Sequence, residues 1–346
     1  MKDPNQSEAL HRYPRKRWLS AGTIILSLAF LMISVMISVR FGAANLTYLD
    51  VWNALFHFDA DNSAHIIVRE LRLPRAIAAI CVGAALAVSG AIMQGMTRNP
   101  LASPSIMGVT AGSSFSIAVS LAVYPSVTYM GLMLFSFVGA GVGALLVLGL
   151  TSLSKGGVTP VKLALAGSAM TSLLSSLSTA IGIKFNISKD ISYWYAGSVS
   201  SIQPQHVKLA LPFIVAGLVL AVALSRSISV MSLGEEVAKG VGLRTGRVQL
   251  LGTIVILLLT GAAVSIAGMI GFVGLVIPHI TRFLVGMDYR WIIPFSAILG
   301  GTLLIVADIA ARMINAPFET PVGAITALVG VPFFLYLARK EGRGLS

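Results

Sequence analysis

The chain has 346 residues, 56% of them hydrophobic and 11% charged, against roughly 25% charged in a soluble domain, which excludes the ordinary soluble classes and points to a polytopic helical membrane protein. The net charge of +12 suits nucleic acid on number alone, but in a membrane protein it reports sidedness, and no nucleic-acid partner is expected. Cys81 is the single cysteine, so an internal disulfide and a multi-cysteine metal site are both excluded.

About 20 mainly apolar residues are needed to cross the hydrocarbon core. On that measure spans are predicted at 19–39, 76–96, 106–124, 129–152, 161–183, 207–226, 248–266, 268–286, 291–313 and 321–338. The expected fold class is all-α and polytopic, with about ten transmembrane helices and both termini cytoplasmic. One membrane domain, 19–338, lies between tails 1–18 and 339–346. This arrangement places 17 of the 25 Lys and Arg inside and leaves 8 outside, in keeping with the positive-inside rule.

The first span follows Arg12, Arg15, Lys16 and Arg17. Its apolar stretch is too long for a signal peptide, so a first transmembrane helix with its N-terminus inside is expected. The stretch Arg69-Glu-Leu-Arg-Leu-Pro-Arg75 then falls on the outer side, against the general bias. Its arginines either anchor the helix end among lipid headgroups or offer bidentate forks to carboxylates of an external protein. In the second span Gly83, Ala87, Ala91 and Gly95 recur every four residues, a small-residue stripe for close helix packing.

The fifth span places Ser168, Ser172, Ser175 and Thr179 on one helical face. Two readings stand: hydroxyls bonded to their own backbone, or a water-accessible path, with Val158, Thr159 and Pro160 at its inner mouth. The inner loop 227–247 carries Ser232 and Glu235 as a capping box. A short helix from Leu233 to about Lys239 should stop at Gly240, and a second should follow Gly242. This loop is either an interfacial helix or a knob that docks on a cytoplasmic partner. In 248–286, Gly268 and Gly271 favour a break between two short helices, and Pro278-His279 is a further candidate break. Asp308 in the ninth span has Arg312 one turn on, which predicts an internal ion pair.

No phosphate loop of the form G-x-x-x-x-G-K-[ST] occurs, so ATP hydrolysis by this chain is not expected. H-E-x-x-H is absent as well, and His11, His57, His65, His206 and His279 are scattered. No nucleophile–base arrangement stands out, so an enzyme is not expected, nor is a cofactor or metal.

The run Leu71-Arg-Leu-Pro-Arg75 with "VGAALAVSGAIMQGMTRNPLASPSIMGVTAGSS" resembles the membrane subunits of FecCD-type ABC importers for iron siderophores, haem and cobalamin. "LGEEVAKGVGL" (233–243), "GFVGLVIPHITR" (271–282), "ADIAARM" (307–313) and "ETPVGAITALVGVPFFLYL" (319–337) are similar to the family's other signatures, in the same order. The likeness runs from about residue 66 onward. It implies a permease in the plasma membrane of a prokaryote, in contact with lipid. Its implied partners are a second permease subunit, identical or paralogous, an ABC ATPase dimer and an extracytoplasmic substrate-binding protein. By position, Arg72, Arg75 and Arg312 match the outer residues that receive acidic side chains of the binding protein. Gly234, Glu235, Glu236, Ala238, Gly240, Gly242 and Leu243 match the coupling helices that enter the ATPase cleft. Val158, Thr159 and Pro160 fall where the family's cytoplasmic gate lies. Ferric siderophore is the first-ranked substrate, with cobalamin or haem as alternatives. Reversing Arg72 and Arg75 to Glu is expected to abolish uptake and leave the fold intact. The rival reading is an ion-gradient-driven transporter, for which Asp308 is the one intramembrane carboxylate; a non-transporting membrane scaffold is the other.

Overall fold

The computed structural model describes residues 13–42, 46–104, 108–154, 160–315 and 318–342. Among these every regular element is helical. The chain runs α1 (Tyr13–Arg40), α2 (Tyr48–Phe56), α3 (Ser63–Ile66), a π-helical turn (Ile67–Arg72), α4 (Leu73–Thr97), α5 (Val109–Val123) and α6 (Tyr129–Ser152). It continues through α7 (Pro160–Lys184), α8 (Ser188–Ala196), α9 (Pro204–Ser232), α10 (Glu235–Gly240), α11 (Thr245–Ala267), α12 (Val273–Val285), α13 (Tyr289–Ile314) and α14 (Val322–Gly342).

Each predicted span coincides with a helix, namely α1, α4 to α7, α9 and α11 to α14. Six helical segments of the described chain are long and apolar enough to cross a membrane: Gly22–Arg40, Ser63–Thr97, Tyr129–Ser152, Pro204–Ser232, Thr245–Ala267 and Tyr289–Ile314. Val109–Val123, Val273–Val285 and Val322–Leu337 are shorter apolar helices.

The helix α4 is the axis of the bundle. Most of it, from Pro74 to Gly95, is buried, and it packs most extensively on α13, then on α11, α9 and α12. In lipid the hydrophobic effect does not drive helix association, so close van der Waals approach must. Glycine permits it. A Cβ on Gly83 would overlap the Gly300 carbonyl of α13, and one on Gly90 would overlap the Gly274 carbonyl of α12. The predicted stripe is therefore a packing seam: Gly83 and Ala87 face Gly300, and Gly95 faces the Tyr289 ring. Gly90 lies off that stripe, and its role is not visible from the four-residue spacing.

The break between α11 and α12 falls at 268–272, where the two glycines predicted it. Gly268 takes φ +67° and Phe272, a bulky residue, also sits at φ +67°. The 13 residues of α12 rise about 20 Å, less than the roughly 30 Å of hydrocarbon. Irregular backbone near lipid must be bonded to protein. The Ser198 amide donates to Ala267 O at 2.9 Å, and the Gly323 amide to Gly197 O at 3.1 Å. Pro278, by contrast, interrupts nothing: α12 runs straight through it, and His279 meets Phe333 of α14 edge-on.

Two boundaries move for physical reasons. The ninth helix continues past residue 226 to Ser232, because Ser225, Ile228 and Met231 are buried there. The second span begins earlier, because Ser63–Thr97 is continuously helical through the π turn. Substituting Gly90 by Val should force α4 off α12; overpacking of this kind costs about 1–3 kcal/mol. A thermal-unfolding scan of the purified variant in detergent should show a lower Tm, and an unchanged Tm would contradict the seam.

Candidate functional site

Three features gather the chemistry-bearing residues: an arginine cluster at one end of the bundle, a short arm at the other, and a hydroxyl face on α7.

The cluster forms where the π turn, α4, α13 and the end of α1 meet. Arg72 and Arg75 lie three residues apart and so share a helical face, with Pro74 in the first turn of α4. Arg75 Nε donates to Asp308 Oδ1 at 3.0 Å and Nη2 donates to the same oxygen at 2.8 Å. Its Nη1 donates to Glu319 Oε1 at 2.6 Å. From one turn along α13, Arg312 Nη2 reaches Asp308 Oδ2 at 2.9 Å, so the predicted pair exists and is shared by two arginines. Arg312 also donates to Ser38 O at 3.1 Å and Phe41 O at 2.9 Å. Arg72 Nη1 donates to Val39 O at 2.8 Å and to Arg40 O. These carbonyls belong to the last turn of α1 and the residue after it. The guanidinium groups thus satisfy acceptors that a helix end leaves open, and sit at its negative pole.

The three predicted docking arginines are therefore brought together, but they face inward. Arg72 and Arg75 are 7% and 8% exposed. The side chain of Asp308 is 0% exposed and that of Glu319 is 44% exposed. Asp308 is the centre of the cluster, and Glu319 is its rim. The sequence reading missed Glu319; its signal was an acidic residue beside Pro321, at the head of the last span. Reversing Arg72 and Arg75 to Glu would bring a carboxylate against Asp308, so that double change is not expected to leave the fold intact.

At the opposite end, α10 projects between α9 and α11. Its start differs from the expected capping box. Ser232 stays in the last turn of α9, with its hydroxyl donating to Ser229 O at 2.8 Å. Gly234, at φ +129°, is the N-cap, which puts Glu235 at the first helical position and out of reach of a box. Glu235 pairs instead with Lys239 at 2.8 Å, and that hydrogen bond holds its carboxyl below the usual range. The stop after Gly240 is as expected. Gly242, at φ +81°, donates to Lys239 O, and Leu243 donates to Ala238 O, each at 2.9 Å. This is a Schellman closure, which requires the left-handed residue that glycine supplies. The expected second short helix is the start of α11. Ala238 is buried, whereas Leu233, Val237 and Val241 are 70%, 50% and 69% exposed. Arg98 lines the groove beside the arm together with Gly234, Glu235 and Lys239.

The base of the arm is latched to α13. The Ser229 hydroxyl is 3.2 Å from Asp288 Oδ1 and accepts from the Tyr289 amide at 2.8 Å. Asp288 caps α13 by accepting from the Arg290 amide at 3.0 Å. The Arg290 guanidinium holds the Asp288 carboxyl below its ordinary pKa.

On α7, Ser168, Ser172 and Thr179 are exposed and Ser175 is half-buried. The Thr179 hydroxyl donates to Ser175 O at 2.9 Å, so part of this face does bond its own backbone. Val158 and Thr159 lie outside the described residues, and Pro160 opens α7.

The sequence profile of the FecCD transport family matches residues 30–340. The chain is 57% identical to the iron(3+)-hydroxamate import system permease protein FhuB of Bacillus subtilis, over 93% of this chain and 84% of that protein. It is 41% identical to the cobalamin import system permease protein BtuC of Halobacterium salinarum, over 84% of this chain and 79% of that protein. A solved structure of an inward-facing transporter, assigned to the metal-chelate ABC type, superposes with a TM-score of 0.81 at 28% identity. It covers 92% of this chain and 99% of that one.

Removing Asp308 leaves two guanidinium groups buried without their shared counter-ion, a loss of about 3–5 kcal/mol. The Asp308→Ala variant should fall in folded yield and Tm in detergent; wild-type values would contradict the cluster's structural role.

Proposed function

The chain belongs to the FecCD transport family, and from that premise we propose that it is the permease of a binding-protein-dependent ABC importer carrying a ferric siderophore of the hydroxamate class across a prokaryotic cytoplasmic membrane. It crosses the membrane ten times with both termini inside and pairs with a second permease, identical or paralogous. It works with an ATPase dimer and an extracytoplasmic binding protein. Hydroxamate ranks above cobalamin because the relative named for it is the more similar of the two.

The observation that carries the importer reading is the inner arm. Val237 on the short helix, Leu233 just before it and Val241 just after it hold apolar side chains out from the protein, and the helix itself is bracketed by Gly234 and Gly242, both at positive φ. An exposed apolar knob of this kind marks a protein contact, and an ATPase cleft is the partner it fits. Gly234 through Leu243 transmit the ATPase's state through this contact. The exposed hydroxyl face of α7, Ser168 through Thr179, lines the path together with the second subunit, because such a face is poorly matched to lipid. By the family likeness, the inner gate of that path falls to the segment 158–160.

At the other end Arg72, Arg75 and Arg312 receive acidic side chains of the binding protein. Arg75's nitrogen toward the rim already holds Glu319, so an incoming carboxylate takes the place of Glu319 while Asp308 stays bonded. Transport then follows from linkage: ATP and the docked binding protein each favour one of two states of the bundle. An ion-gradient mechanism is disfavoured because Asp308 has both oxygens committed to arginines.

The test is uptake of a radioiron-labelled trihydroxamate by cells lacking their own system. The wild-type chain, with its ATPase and binding protein, should restore uptake. The Leu233→Asp/Val237→Asp double variant should reach the membrane yet lose uptake and fail to retain the ATPase on purification. Normal uptake by the double variant, or uptake that survives ATP depletion and stops when the ion gradient collapses, would overturn the reading.

A further inference from the structure

The helix α2 is amphipathic in an unusual sense: its outward face is almost wholly apolar and aromatic. Tyr48, Leu49, Trp52, Leu55 and Phe56 are between 49% and 66% exposed. Its opposite face, Val51 and Ala54, packs into a small separate core with Val39 of α1, Val68 of the π turn and Ala76 of α4. A helix facing water on that outward side would carry polar residues there.

The apolar face is continuous with another. On α1, a span-length apolar helix, Ile33 and Met36 are 53% and 57% exposed. A side of this length and composition suits lipid. Phe41, 45% exposed, carries the apolar surface from the end of α1 toward α2. Two cations border the aromatic rings. The Arg40 guanidinium lies 4.1 Å from the Tyr48 ring centroid, and that of Arg69 lies 4.5 Å from the Phe58 ring centroid. Rings with an apolar body, beside guanidinium groups suited to phosphate, are the chemistry of the headgroup level of a bilayer.

We propose that α2 lies in the bilayer interface on the side of the arginine cluster, with its aromatic face among the lipid headgroups and upper acyl chains. A helix of this type lies in the plane of the interface. Through Val68 and Ala76 it fixes the depth of the π turn, and hence of Arg72 and Arg75, against the membrane. The inference concerns depth, and holds whichever leaflet that side proves to be.

The test uses Trp52 as the reporter. The full chain with Trp18→Phe, Trp194→Phe and Trp291→Phe is reconstituted in vesicles of phosphatidylcholine and phosphatidylglycerol. Lipids brominated near the carbonyl end of the acyl chain should quench Trp52 strongly, those brominated near the methyl end less, and aqueous acrylamide little. Quenching by acrylamide without quenching by lipid would overturn the proposal. Shielding from both would also overturn it, since a second copy or another protein would then cover the face. If the triple variant does not fold, Trp52→Cys with Cys81→Ala carries a nitroxide instead. Relaxation by oxygen over a soluble nickel chelate supports the interface, and the reverse order refutes it.

Discussion

One carboxylate holds one end of this bundle together. Asp308 is fully buried and accepts from both Arg75 and Arg312. Isolated, any of these charges would be costly to take out of water. Together they become tolerable, because the remaining guanidinium nitrogens find the carbonyls at the end of α1 and the carboxylate of Glu319. The constraint reaches far. It ties α1, α4, α13 and the approach to α14 at one level, and it turns Arg75 and Arg312 inward.

From that knot two helices run the length of the bundle. The buried axis α4 carries Arg75 in its first turn and ends beside Arg98, which lines the groove of the arm at the opposite end. α13 carries Asp308 and Arg312 near one end and, at the other, is latched through Asp288 to Ser229 at the foot of that arm. Glycine-to-glycine contacts with no slack join the two helices, at Gly83 against Gly300. Such packing moves as a unit or switches between discrete arrangements instead of deforming smoothly. On the proposed function, these rods connect a docking event at one surface to the ATPase at the other.

Much of this was legible in the residues. Each apolar stretch read from the sequence coincides with a helix, since that signal depends only on composition over about 20 positions. Local rules served where local energies decide, as at the Gly240 stop, the Gly268 break and the Asp308–Arg312 pair. They failed where tertiary contact decides. The Ser232–Glu235 box did not form because burial of Ile228 and Met231 extends α9 past it. Pro278 did not break α12, and the closest helix approach fell on Gly90, outside the regular stripe. The inward commitment of Arg75 was hidden for the same reason: Asp308 and Glu319 are more than two hundred positions away in the chain, and Arg72 turns to backbone carbonyls of α1 that no side-chain pattern marks. A linear reading sees the charges but not their partners.

On the proposed function, the cluster is structural at Asp308 and exchangeable at Glu319. The direct measurement is the affinity of the importer's binding protein for the reconstituted permease, with Glu319→Gln against wild type and across a range of salt. The predicted result is a lower Kd for the variant, chiefly through faster association, and steep weakening with salt. An unchanged or higher Kd, with binding still sensitive to neutralising the binding protein's own surface carboxylates, would show that Glu319 does not occupy the docking position. Insensitivity to those carboxylates as well would show that the arginines do not dock it at all.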